Sequence, residues 1–121
     1  MAIRERILVI EDEILISMML EQSIEALGRS FVGTESTVEG ALERISREEV
    51  DGVVIDRWLR GQRKSDDVAK LLLERGIPFV VATGDAISLE DPFKEGIVLR
   101  KPFSIDQLEA ALDEMDRLAM H

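Results

Sequence analysis

At 121 residues, with 45% apolar and 33% charged residues, the chain has the size and composition of one globular domain with a single packed core. Its formal net charge of -10 opposes nonspecific binding to DNA, RNA or an anionic membrane, which needs a basic face; the acidity keeps the protein in solution, or suits a basic partner or a divalent cation. The absence of cysteine excludes disulfides and thiolate metal sites, and no apolar run approaches membrane-spanning length.

Arg4, Glu5 and Arg6 precede the apolar run Ile7-Leu8-Val9-Ile10. With no small-residue cleavage site behind it, this run reads as a first strand and not as a signal peptide. A helix follows from about Glu13 to Leu27, with Ile16, Leu20, Ile24 and Leu27 as its inward stripe and Gly28 as the residue just past its end. Phe31-Val32-Gly33-Thr34 is a weaker, more polar strand, as expected at a sheet edge. Ser36 and Glu39 form a capping box ahead of a second helix that carries Val38, Ala41, Leu42 and Ile45. Val53-Val54-Ile55 is the third strand. A third helix starts near Ser65, buries Val68, Ala69 and Leu72, and ends at Gly76.

Phe79-Val80-Val81-Ala82 and Ile97-Val98-Leu99 are the fourth and fifth strands. Between them, Gly84, Pro92 and Gly96 disfavour a long regular helix, so the fourth helix is expected to be short or irregular. The last helix is the clearest: Ile105, Leu108, Leu112, Met115 and Leu118 keep helical spacing, and Ser104 with Gln107 makes a capping box. Continuous apolar strands suit burial on both faces of a parallel sheet. Their alternation with helices predicts one α/β domain over residues 1–121. It is a doubly wound, flavodoxin-like five-stranded parallel sheet in the order 2-1-3-4-5.

In such a sheet ligands sit beyond the carboxyl ends of the strands. Glu11 and Asp12 follow the first strand, Asp56 ends the third, Thr83 ends the fourth and Lys101 follows the fifth. Close carboxylates raise one another's pKa unless a cation neutralises them, and a hard divalent ion such as Mg²⁺ with oxygen ligands does so. A lysine among them can pair with a carboxylate and then with an added phosphoryl group, which suits phosphoryl transfer to a carboxylate. Taken singly, each residue has an ordinary explanation as a helix cap, a strand-end threonine or a surface lysine. Their coincidence at one edge is what carries the reading.

At this point the chain resembles the receiver domains of bacterial response regulators, from about Arg6 to Leu118. The matching pieces are Ile7-Leu8-Val9-Ile10-Glu11-Asp12-Glu13, Val53-Val54-Ile55-Asp56, Val80-Val81-Ala82-Thr83-Gly84 and Lys101-Pro102-Phe103. The resemblance implies that Asp56 is the phosphoacceptor and that Asp12 and Asp56 ligate Mg²⁺. Glu11 would hold the ion through water, and the backbone carbonyl of Trp58 would be a further ligand. It also implies that Thr83 and Lys101 bind the phosphoryl group, and that the Lys101-Pro102 bond is cis.

The chain departs from the family in three places. The usual aromatic three residues before the lysine is replaced by Val98, which puts the family's threonine–aromatic coupling in doubt. Trp58, the only tryptophan, stands where a smaller residue is usual; it is either a lid over the phosphoryl group or a ring packed on its own loop. The segment from Thr83 to Lys101 is about one helical turn short. Pro78-Phe79-Val80-Val81-Ala82-Thr83-Gly84 is similar to the subset of stand-alone receivers marked by Phe-Ala-Thr-Gly-x-Tyr, although Val81 and Ala86 replace both aromatics of that signature.

Ile14, Leu15 and Met18 project away from the inward stripe of the first helix, and Met19 borders it. They are either a docking face for a histidine kinase or histidine phosphotransfer protein, or scattered surface residues, or a homodimer contact. His121, the only histidine, reads as a chain end and not as a ligand. The function expected is that of a cytoplasmic phosphorelay switch, not an enzyme with its own substrate. It would signal to an unknown downstream protein through contacts, without nucleic acid or membrane, since the length leaves no room for an output domain. Two rivals are a receiver-fold module regulated by binding alone and a haloacid-dehalogenase-type hydrolase. The latter needs a second acid where Trp58 stands.

Overall fold

The computed structural model describes residues 6–59, 63–84 and 92–119; Arg4, Glu5, Ala86 and His121 lie outside them. Five strands, β1 (Arg6–Ile10), β2 (Ser30–Glu35), β3 (Gly52–Asp56), β4 (Phe79–Thr83) and β5 (Ile97–Arg100), form one sheet in the order 2-1-3-4-5. Every neighbouring pair is parallel, as the apolar runs predict. The helices are α1 (Ile14–Ala26), α2 (Val38–Arg47), α3 (Asp66–Arg75) and α4 (Ile105–Ala119). Among the described residues none is long and apolar enough to cross a membrane.

The two-residue alternation of the strands divides the core into two layers. Leu8, Ile10, Val53, Ile55, Phe79 and Val81 face α2 and α3, where Val38, Ala41, Ile45, Val68, Ala69 and Leu72 meet them. Ile7, Val9, Val54, Val80, Ala82 and Leu99 face α1 and α4 and pack on Leu20, Ile24, Leu108, Leu112 and Met115. Each fully buried aliphatic side chain contributes roughly 1.5–3 kcal/mol, so this double burial is what makes the runs continuous in sequence. Met115 lies against the sheet where Gly52 has no side chain; a Cβ there would strike its thioether.

β2 is the edge strand, and none of its residues is fully buried. Its register against β1 passes from Ile7↔Phe31 to Leu8↔Gly33, leaving Val32 as an extra residue. The bulge brings the Val32 carbonyl to the Arg44 guanidinium, which also holds Glu35 at 2.8 Å and Glu48 at 2.6 Å. Gly33, at φ +146°, leaves that guanidinium its space.

Helix ends follow the sequence with one correction. Ser104 and Gln107 cap α4 reciprocally, at 2.8 and 3.1 Å. Gly28 and Gly76, both at positive φ, end α1 and α3. The α2 cap, however, is Thr37 and not Ser36: its Oγ1 accepts the Gly40 amide at 3.0 Å. Thr37 has the extended backbone a cap requires, and a one-residue shift is invisible when two hydroxyl residues adjoin. At the ends of the α4 stripe, Ile105 and Leu118 are half exposed, because the helix outruns the sheet it covers.

Two short features lie between the main elements. Trp58–Leu59 pairs antiparallel with Arg63–Lys64 in a ribbon beyond β3. Between β4 and β5 the described residues contain a single 3₁₀ turn, Phe93–Glu95, with Phe93 buried in the α2–α3 layer. This agrees with a short or irregular fourth helix, although residues 85–91 lie outside those described.

Candidate functional site

The strand register brings the polar strand-end residues to one edge. Ile10 stands opposite Ile55, Asp56 opposite Ala82, and Thr83 opposite Arg100, so β1, β3, β4 and β5 run out together. Glu11, Asp56 and Thr83 are buried there, and Asp12 is half-buried. Lys101 Nζ donates to Glu11 Oε1 at 3.2 Å and to Asp56 Oδ2 at 3.3 Å. The Lys101 amide donates to the Thr83 carbonyl at 2.9 Å, and the Lys101-Pro102 bond is cis.

The remaining carboxylate oxygens are held by main-chain donors. Glu11 Oε2 accepts the amides of Asp12 at 3.1 Å and Glu13 at 3.2 Å. Asp56 Oδ1 accepts the Trp58 amide at 3.1 Å. Burial pushes the Glu11 carboxyl up to about 7, helped by its hydrogen bond to Asp56 and the Asp56 charge, against Lys101 and the Glu13 amide. Burial opposes the charge on Lys101, but Asp56 and Glu11 outweigh it and raise its pKa above the ordinary lysine value.

One carboxylate oxygen each from Glu11, Asp12 and Asp56 lies within 4.8 Å of the others. These are hard oxygen donors of the kind Mg²⁺ takes, and a divalent cation would offset the negative charge that Asp56 adds to the burial of Glu11. The residues therefore fit such an ion.

The residues that depart from the family pattern also have definite places. Val98 is 45% exposed on β5. Trp58 is 40% exposed, with the Arg57 guanidinium 5.8 Å from its ring centroid. The same guanidinium lies 5.9 Å from the centroid of Phe93, in the β4–β5 connection. Its Nε is buried without a hydrogen-bond partner among the described residues, so the two aromatic faces are its compensation. On α1, Ile14, Leu15 and Met18 are exposed, and Met19 joins Ile16, Lys101, Pro102 and Phe103 in lining an apolar groove beside the site.

Two participants were not legible as such. Arg57 gave no signal, since Phe93, the second of its two aromatic partners, is distant in sequence. Ser65 reads from sequence only as a helix start, yet its Oγ donates to the main-chain carbonyls of Asp56 at 2.7 Å and Arg57 at 3.2 Å. The signal available was the lack of an acidic or amide residue three places on, where Val68 stands.

Several solved structures are similar to this chain. SdrG from Sphingomonas melonis Fr1 is 43% identical over 95% of this chain and 98% of its own, with a TM-score of 0.83. Its BeF3-activated conformation, named with Pseudomonas melonis Fr1, is 45% identical over 93% and 97%, with a TM-score of 0.78. The response regulator REC domain of Erythrobacter litoralis PhyR is 26% identical over 94% and 91%, with a TM-score of 0.83. The receiver domain of the sensor histidine kinase PA1611 from Pseudomonas aeruginosa PAO1, which has a magnesium ion coordinated in its active-site cleft, covers 98% and 100% with a TM-score of 0.79. At 19% identity that last likeness is one of fold. No family model matches the sequence, and no curated protein does.

Proposed function

The chain belongs to the response regulator receiver domains, and from that premise we propose that Asp56 is its phosphoacceptor in a two-component phosphorelay. The observation that carries this reading is the contact of Lys101 with both Glu11 and Asp56 at the edge where three carboxylates converge. Asp12 and Asp56 would ligate Mg²⁺ directly, Glu11 through water, and the Trp58 carbonyl would add a ligand. When bound, the ion supplies positive charge against the oxygens of the transferring group.

The chain's own groups do the rest. The Trp58 amide and Lys101 each hold one Asp56 oxygen and so fix the plane of the carboxylate. An Asp56 oxygen attacks phosphorus as the phosphorus–nitrogen bond of a phosphohistidine breaks, and the donor imidazole leaves with the electron pair. Lys101 then transfers its ion pair to a phosphoryl oxygen, and the Thr83 hydroxyl, buried on the same edge, donates to another. Two states of Asp56 thus differ in what Lys101 and Thr83 hold, which makes the domain a switch read out by protein partners.

The donor is a histidine kinase or histidine phosphotransfer protein, docked on Ile14, Leu15 and Met18 and the adjoining groove. The cytoplasmic setting and an unknown downstream partner belong to the same proposal. The BeF3-activated form of SdrG supports the phosphoacceptor part of this reading. Incubation with Mg²⁺ and a small phosphodonor, followed by intact mass, is the test. The wild type gains one phosphate and Asp56→Asn gains none. A wild type without adduct would favour a module regulated by binding alone.

A further inference from the structure

Ser65 is the N-cap residue of α3, but it does not cap the helix. The cap of α2 shows what a hydroxyl ordinarily does there: Thr37 has φ -131° and ψ 157°, and its oxygen accepts the Gly40 amide. Ser65 has φ -87° and ψ 29° and makes no such bond. Asp66 and Asp67 in the first turn supply negative charge to the helix start instead.

The Ser65 hydroxyl, fully buried, turns back toward β3. It shares its one proton between the Asp56 carbonyl at 2.7 Å and the Arg57 carbonyl at 3.2 Å, while its amide donates to the Arg57 carbonyl at 3.0 Å. The sheet has little hold at this point, since the Arg57 amide reaches the Ala82 carbonyl at a long 3.5 Å. The Arg57 carbonyl and the Trp58 amide belong to one planar peptide unit. Fixing that carbonyl therefore aims the Trp58 N–H, which donates to Asp56 Oδ1. The Asp56 carbonyl fixes the preceding unit, and with it the direction in which the side chain leaves the backbone.

We infer that Ser65 is a positioning residue for Asp56: its hydroxyl orients the two peptide units that set the acceptor carboxylate. The inference rests on Asp56 being the phosphoacceptor. Ser65 touches neither the donor nor the reacting oxygen, and acts through the Asp56 and Trp58 main chain.

The experiment measures phosphorylation by a small phosphodonor with saturating Mg²⁺, together with solvent exchange of the Trp58 amide proton. Ser65→Ala should lower the maximal rate about tenfold or more, leave the half-saturating donor concentration unchanged within about twofold, and speed Trp58 exchange. Ser65→Cys, nearly the same size with a weak donor, should do likewise if the alanine variant folds poorly. Ser65→Thr, which keeps the hydroxyl, should recover most of the rate. Val68→Ala, a fully buried position on the same helix, should lower the melting temperature while keeping the rate within about twofold. A folded Ser65→Ala or Ser65→Cys protein phosphorylated at the wild-type rate overturns the inference. So does an equal rate loss in Val68→Ala at matched stability. A wild type that takes no phosphate on Asp56 overturns the phosphoacceptor reading, and this inference with it.

Discussion

Among single residues, Glu11 has the most direct bearing on pH. Its carboxyl is pushed up to about 7 by burial and by Asp56, whereas an unfolded chain leaves a glutamate near about 4.3. The folded state therefore favours the protonated form, and the stability this contributes is complete below the unfolded value. It is lost as pH rises through 7, by no more than about 4 kcal/mol in the metal-free protein. Urea unfolding between pH 5 and 8 should show that decline without Mg²⁺ and less of it with Mg²⁺. Glu11→Gln should flatten the metal-free curve; an unchanged slope in that variant would refute the assignment. Because a proton on Glu11 competes with a cation, Mg²⁺ affinity should also weaken below pH 7, as titration calorimetry would measure. The convergence of Glu11, Asp12, Asp56, Thr83 and Lys101 was legible in the sequence, because each ends or closely follows an apolar run. What was not legible is how these groups act on one another: the lysine's simultaneous hold on two carboxylates depends on register across four strands.

The elements show a similar division. The runs of β1, β3 and β4 were read correctly because burial on both faces leaves no polar residue to interrupt them. The ribbon at Trp58–Leu59 and Arg63–Lys64 escaped notice, since two-residue strands have no period to detect. The amphipathic stripe of α1 predicted both its faces: Leu20 and Ile24 are buried, while Ile14 and Leu15 are 73% and 81% exposed. That outer face gives a prediction at the level of the helix. Leu15→Asp or Met18→Asp should reduce phosphotransfer from a cognate histidine-phosphorylated partner about tenfold or more, and leave labelling by a small phosphodonor intact. Parallel rate measurements with the two donors check this; equal loss in both would mark a folding defect instead.

Across the whole molecule, the order of the sheet followed from the weaker, more polar pattern of β2, but what ties the end of the first helix to the last helix did not. Arg29, just after α1, binds Asp116 of α4 through two bonds of 2.9 and 2.8 Å and reaches Asp113 at 3.0 Å. Its side chain is only 12% exposed, so this pair is better shielded than an ordinary surface bridge. Arg29→Ala should lower stability by about 1–3 kcal/mol and the melting temperature by roughly 3–8 °C, as thermal unfolding would record. A change below 1 °C would show that α4 is held by its apolar face alone. The contact of Arg57 with both Trp58 and Phe93 has a different consequence. The chain has one tryptophan and no tyrosine, so its ultraviolet emission comes from a single indole two residues beyond Asp56. A cation rests on that ring and leans equally on the connection between β4 and β5. Any shift of that connection relative to β3 alters the field at the indole, so the domain carries its own optical probe two residues from Asp56.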